Sequence, residues 1–143
     1  MPVADEATAT ALILAHFKTA WDAQGGTVPA VLYENTDQDP PKDGSPYVKT
    51  LIRHAIAPQV TFSEPGSQRF RSTGLAMFEV YSRLGVGVTA DANYAKVIRD
   101  AFRGSVAGVS GVRFRNARSL EQGRSGNMYL TNVLVDFEYD TIG

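Results

Sequence analysis

Residues 69–84 read Arg-Phe-Arg-Ser-Thr-Gly-Leu-Ala-Met-Phe-Glu-Val-Tyr-Ser-Arg-Leu. Side chains on a strand point alternately to its two faces, so the odd and even positions can be read apart. Leu75, Met77, Glu79 and Tyr81 take one face. Ala76, Phe78 and Val80 take the other. The run contains no proline, so nothing in it bars a place inside a sheet. The segment predicts a long strand, the clearest in the first half of the chain.

Downstream, Thr89 is positioned to cap a helix over Ala90–Arg103. Tyr94, Ala95, Ile98, Ala101 and Phe102 form its apolar stripe, and Gly104 is placed to stop it. A glycine-rich loop follows. Val112–Arg118 alternates as a strand, Gly123–Gly126 reads as a turn, and Asn127–Tyr139 is a last strand. In that strand Tyr129, Val133, Val135, Phe137 and Tyr139 share one face, opposite Asn132, Asp136 and Glu138. Upstream, residues 5–23 predict a helix. Ala9, Leu12, Ile13, Phe17, Ala20 and Trp21 recur at three- and four-residue steps, and Gly25 and Gly26 end it. Val28–Asn35 is a short strand candidate. Thr36–Pro46 is a polar loop stiffened by three prolines, and Tyr47–His54 is a further strand. Pro58 and the Pro65-Gly66-Ser67 cluster bracket an extended piece holding Val60 and Phe62. The order is α-β-β-β-α-β-β. This predicts one α+β domain over residues 1–143, an antiparallel-rich mixed sheet with two helices packed on one face. Phe17, Trp21, Ile98, Phe102 and Phe137 are assigned to the core.

The chain has 143 residues, 43% hydrophobic and 20% charged, and no cysteine. That composition is globular. It excludes a disulfide framework, a thiol nucleophile and a thiolate metal cluster. The net charge of −1 argues against a general nucleic-acid binder. Asp5 and Glu6 stand where a signal peptide carries positive charge, so none is expected, and a soluble protein made in a reducing cytoplasm is.

Gly85-Val86-Gly87-Val88-Thr89-Ala90 follows a strand and opens a helix, as the dinucleotide-binding fingerprint does. That fingerprint needs an acidic residue about 20 positions further on. No Asp or Glu lies between Asp100 and Glu121, and the alternating β-α units are missing. The stretch reads better as a strand-to-helix turn. His16 and His54 have no paired ligand spacing and read as ordinary structural or surface histidines. No Gly-x-Ser-x-Gly elbow and no acid/base carboxylate pair stands out. The expectation is no enzyme, no cofactor and no metal.

Charge is unevenly spread along the chain. Residues 1–48 carry seven acids against two lysines, residues 49–124 carry twelve basic residues against five acids, and residues 125–143 carry three acids and no base. Such asymmetry can serve nucleic acid or a complementary protein surface. A self-compensating surface, with the charges of distant strands interleaved, is the alternative.

Several stretches together carry a family likeness. They are Arg69-Phe70-Arg71-Ser72-Thr73-Gly74-Leu75, Gly85-Val86-Gly87 opening a helix, Val97 to Gly104, Gly111-Val112-Arg113-Phe114, and Val135 to Asp140. With Phe17-Lys18-Thr19-Ala20-Trp21, Tyr33-Glu34-Asn35 and Asp43 to Val48, they resemble, in order and spacing, the tail terminator-like (tail completion) proteins of long-tailed, siphovirus-type bacteriophages. The stretch Val60–Gly66 follows that pattern least, and its role stays open. The resemblance implies a structural homo-oligomer, a ring expected to be hexameric. It would cap the head-proximal end of the tail tube, stop tube polymerisation and offer a docking surface to the head connector. The implied partners are further copies of the chain, the major tail tube protein and the head completion or connector protein. DNA would pass through the lumen without specific binding. The implied place is the virion tail at the head–tail junction, after assembly in the bacterial host cytoplasm. A head–tail connector or neck protein is the alternative, and a small nucleotide-binding enzyme a remote one. Candidate interface residues are Asp37, Asp39, Lys42 and Asp43 in the proline loop, with Arg69, Arg71 and Arg83. Local pairing at the strand end is the competing reading for Arg69 and Arg71.

Overall fold

The computed structural model describes residues 2–26, 28–55, 57–85, 87, 89–103 and 111–143. The chain runs α1 (Glu6–Asp22), β1 (Ala30–Tyr33), β2 (Tyr47–His54), β3 (Arg69–Arg83), α2 (Thr89–Arg103), β4 (Arg113–Ser125) and β5 (Met128–Ile142). The strands form one mixed sheet in the order β1-β2-β3-β5-β4. Only β1 against β2 is parallel. The α+β class and the element order are those the sequence predicts.

A parallel neighbour needs a connection of a dozen or more residues. The polar stretch 34–46 supplies it and carries the chain from the end of β1 to the start of β2. At the sheet's centre, β3 and β5 pair without interruption from Arg69↔Ile142 to Arg83↔Met128. Their even and odd rows set the two faces. Ala76, Phe78 and Val80 on β3 are buried, as are Val133, Val135, Phe137 and Tyr139 on β5.

Both helices close this apolar face. Asp5 caps α1 by accepting the Thr8 N–H at 2.7 Å, which holds its carboxyl below the ordinary range. The buried line Ala9, Ile13, Phe17 and Trp21 then meets the sheet. Phe17 and Phe102 each stack on Phe78, at 4.6 and 5.3 Å between ring centres. All five residues assigned to the core are buried. Trp21 tips toward Tyr94 of α2 and donates its indole N–H to the Pro29 carbonyl at 3.0 Å. A buried indole needs such a partner.

Several boundaries differ from the sequence reading, with β1 shortened to Ala30–Tyr33 and β5 extended to Ile142 among them. Helix α2 includes Thr89 instead of being capped by it. Strand β4 runs through Gly123, and the turn narrows to Gly126-Asn127. Gly123, at φ +88°, sits where the β4–β5 register shifts between Glu121 and Gly123, so this glycine makes a bulge. A second shift lies between Arg115 and Arg118, with Asn116 at φ +56°. The expected stop at Gly104 lies outside the described residues, as do Val86 and Val88 of the glycine turn. Among the described residues, no helix is long and apolar enough to cross a membrane.

Gly74 occupies the helix-side row of β3 between His54 and Phe137. A Cβ there would lie 2.4 Å from the Phe137 ring and 2.3 Å from the Arg53 carbonyl oxygen. The missing side chain is what lets the Phe137 ring lie across the strand. Gly74→Ala is therefore expected to overpack this row and cost about 1–3 kcal/mol. A denaturant midpoint equal to wild type would contradict that packing.

Candidate interaction surface

The sheet face away from the helices carries no covering element among the described residues. Its β1–β2 half is apolar and aromatic. Tyr47 stacks on its cross-strand partner Tyr81 at 4.6 Å, beside Leu32, Met128 and Leu130. Tyr81 donates to Glu79, and burial together with that carboxylate pushes its phenol up. Lys49 lies 5.5 Å from the centre of the Tyr81 ring, within cation–π range.

The other half of this face is ionic. Asp140, only 3% exposed, accepts from Arg71 Nε at 2.9 Å and Nη2 at 3.3 Å. Arg69 and Arg113 stand 3.5 and 3.7 Å from the same carboxylate. The Arg71 hydrogen bonds outweigh burial and hold the Asp140 carboxyl below its ordinary value. Glu138 faces Arg113 at 3.1 Å and Arg115 at 3.9 Å, and Asp136 faces Arg118 at 3.5 Å. Five arginines thus meet three carboxylates, and the patch keeps a surplus of two positive charges.

This arrangement explains the charge blocks of the sequence. The acids of residues 125–143 are matched inside the chain, across strands, by arginines of the basic middle. Arg69 and Arg71 make the local pairs that competed with a boundary role. Their side chains remain 40% and 42% exposed, so each still presents a face to solvent.

Of the remaining candidates, those of the crossover loop lie at the opposite edge, and Arg83 ends the central strand β3. Arg83 donates to the Asp43 carbonyl at 3.2 Å and so ties the crossover loop to β3. The Asp43 side chain accepts the Ser45 N–H at 3.0 Å, which lowers its carboxyl. Gln38 reaches back to accept from the Tyr33 N–H and the Thr36 hydroxyl. Asp37, Asp39 and Lys42 point to solvent. With Asp43, the loop carries three acids against one lysine. The structure therefore separates the candidates into a basic end and an acidic edge.

Sequence reasoning missed two features. One is a cleft of about 300 Å³ on the uncovered face, between the loop residues Gln38 and Pro40 and the strand residues Leu32, Leu51, Lys49 and Glu79. The other is the projecting segment around Phe62. The signal for the second was the proline-bracketed apolar pair Val60 and Phe62, which no neighbouring element was predicted to cover.

The residues that drew attention as possible chemistry have structural partners. His54 bridges Tyr139 (2.8 Å) and Thr10 (2.9 Å), and the His16 Nε2–H donates to the Ala101 carbonyl at 2.9 Å. In the first turn of α2, buried Asp91 accepts from the hydroxyls of Ser82 and Thr131, and burial pushes its carboxyl up. A carboxylate already stands at the helix end that a phosphate would need, and its charge opposes an anion there. Among the described residues no cluster of His, Asp or Glu could hold a metal ion.

No protein-family model and no curated protein matches this sequence. Twelve chains of solved structures match its fold. One of them is 16% identical, with a TM-score of 0.64 over 91% of this chain and 94% of that one. At that identity the likeness establishes the shared fold alone.

The Asp140 cluster makes a pH prediction. Its folded pKa lies below the unfolded value of about 3.9, so its stabilisation is present above about pH 4 and is lost as pH falls through the folded value. Asp140→Asn is expected to cost about 1–3 kcal/mol at neutral pH. Denaturant unfolding of both proteins should show that gap closing below about pH 4. A gap unchanged by acid would remove Asp140 as its source.

Proposed function

We propose that this chain is a ring-forming structural subunit, a tail terminator of long-tailed bacteriophages that closes the head-proximal end of the tail tube. The observation that carries the assembly part is the separation of unlike surfaces: an arginine-rich sheet end with a positive surplus and an acidic crossover loop at the other edge. Two different patches that complement each other make a heterologous contact, and such contacts close into rings when the rotation permits. The whole-chain order of motifs supports the choice of this family. The uncovered sheet face, partly apolar and partly ionic, is of the kind that protein interfaces use.

The ring subunit stops tube growth by occupying the last tube layer, and it presents its other face to the connector. Catalysis is no part of this role. Native mass spectrometry across protein and salt concentrations, with and without purified tail tube protein, tests it. Rings that bind tube ends support the reading. A strict monomer even beside tube protein ends it, and rings that bind only the connector transfer the chain to the neck.

Replacing the exposed acids with Asp37→Lys and Asp39→Lys should weaken ring assembly at least several-fold. The melting temperature should stay within about 2 °C of wild type, because neither side chain is packed. Raising salt to about 1 M, where the screening length falls to about 3 Å, should weaken the wild-type ring in the same direction. Assembly indifferent to both changes would exclude the loop from the contact.

A further inference from the structure

Phe62 is fully exposed, with a relative accessibility of 104%. Val60, two residues earlier, is 41% exposed, and Ile142, on the strand end beside them, is 45% exposed. Two of the four exposed large apolar side chains among the described residues therefore lie on the arm of residues 57–68, and a third, Ile142, ends β5 beside it.

The arm is held firmly. Arg71 N–H donates to the Pro58 carbonyl at 2.9 Å, and Val60 N–H to the Arg69 carbonyl at 2.8 Å. The Thr61 hydroxyl accepts from the Arg69 N–H at 2.8 Å, and Gln68 Nε2 donates to the Ser63 carbonyl at 3.0 Å. Gly143 exchanges backbone hydrogen bonds with Gln68 and also accepts from Gly66. Phe62 is thus an apolar ring carried on an ordered support, which lowers the ordering cost of binding.

Its own chain has no place for it. Gln59 pairs with Phe70 in antiparallel fashion, so Phe62 lies beyond the Arg69 end of β3. The 300 Å³ cleft sits at the level of Thr50, which pairs with Phe78. Residues 69 and 78 are nine apart on β3, about 30 Å of strand. Cleft and ring therefore cannot meet within one molecule, but they can between two.

The cleft suits the ring in size and surroundings. A cavity of about 150 Å³ is known to hold benzene, so twice that volume admits a benzyl group with its backbone stem. Leu32, Leu51 and Pro40 supply apolar walls. Lys49 opens into the cleft, and neither it nor Glu64, two residues past Phe62, has an ion-pair partner among the described residues. On the larger scale, the arm rises from the basic sheet end, and the cleft is walled by the acidic loop.

We propose that Phe62 of one copy inserts into the Leu32–Leu51–Pro40 cleft of the next, with Glu64 meeting Lys49, as the head-to-tail contact of the assembly. This rests on the ring reading and names its joint.

The absence of cysteine gives a clean test on the full chain. Glu64→Cys with Lys49→Cys, which keeps Phe62 and the apolar walls of the cleft, oxidised after assembly, is expected to give a covalent ladder of several copies on a non-reducing gel. Tip-to-tip packing would instead give only dimers, equally well from Glu64→Cys alone, and would overturn the proposal. Phe62→Ser should leave thermal unfolding unchanged, because the side chain touches nothing in its own fold, and weaken self-association about ten- to hundred-fold. If wild type assembles and Phe62→Ser assembles as well, the joint is wrong and the ring reading survives. If Phe62→Ser still forms rings but no longer binds tube protein, the arm belongs to the tube and the proposal falls. If wild type stays monomeric even beside tube protein, both fall together.

Discussion

The uninterrupted pairing of β3 with β5 is the constraint on which the rest of this molecule depends. Fifteen consecutive partners put one apolar row of each strand on the same side, and a slip of one residue would turn the slipped strand's row to the opposite face. That side is then the only place where α1 and α2 can bury their own apolar lines. The same register sets the opposite face. It brings Asp140 beside Arg71 and leaves Leu75, Met77 and Leu134 in a band with no helix above them. Core and surface are thus two readings of one ladder.

Much of this was legible in the sequence because strand alternation and helical spacing are local. The limits of β2 agree with the structure, and those of β3 agree to within one residue. The direction of β1 was not legible, since alternation says nothing of orientation. Only the length of the crossover loop permits a parallel partner. Gly123 misled for a physical reason: positive φ serves a bulge as readily as a turn, and a glycine does not say which.

The candidate surface was legible in part. The loop acids and the strand arginines are plain in composition, and their separation into two edges needed the fold. The pairs Arg71–Asp140 and Arg113–Glu138 join positions far apart in the chain, so counting charge by segment could not find them. Counting left open whether those acids meet a neighbour or are compensated by distant strands, and the register places them beside arginines of the same chain. Phe62 escaped for the opposite reason. An apolar residue in an extended piece normally reads as half-buried, and only the complete arrangement shows that none of the described residues covers the Phe62 ring.

The two bulges of β4 carry a consequence of their own. An outer strand with a regular row of free backbone groups invites another strand to add to it. Here the regular spacing of β4 is broken twice, at Asn116 and at Gly123, and charged side chains line the stretch between and around the breaks. Copies crowded together therefore find no straight run along β4 on which to zip backbone to backbone, and the other edge strand, β1, is only four residues long. Association is left to side chains, which can be selective about partner and angle, and the runaway stacking that leads to fibrils meets a barrier built into the chain's own geometry.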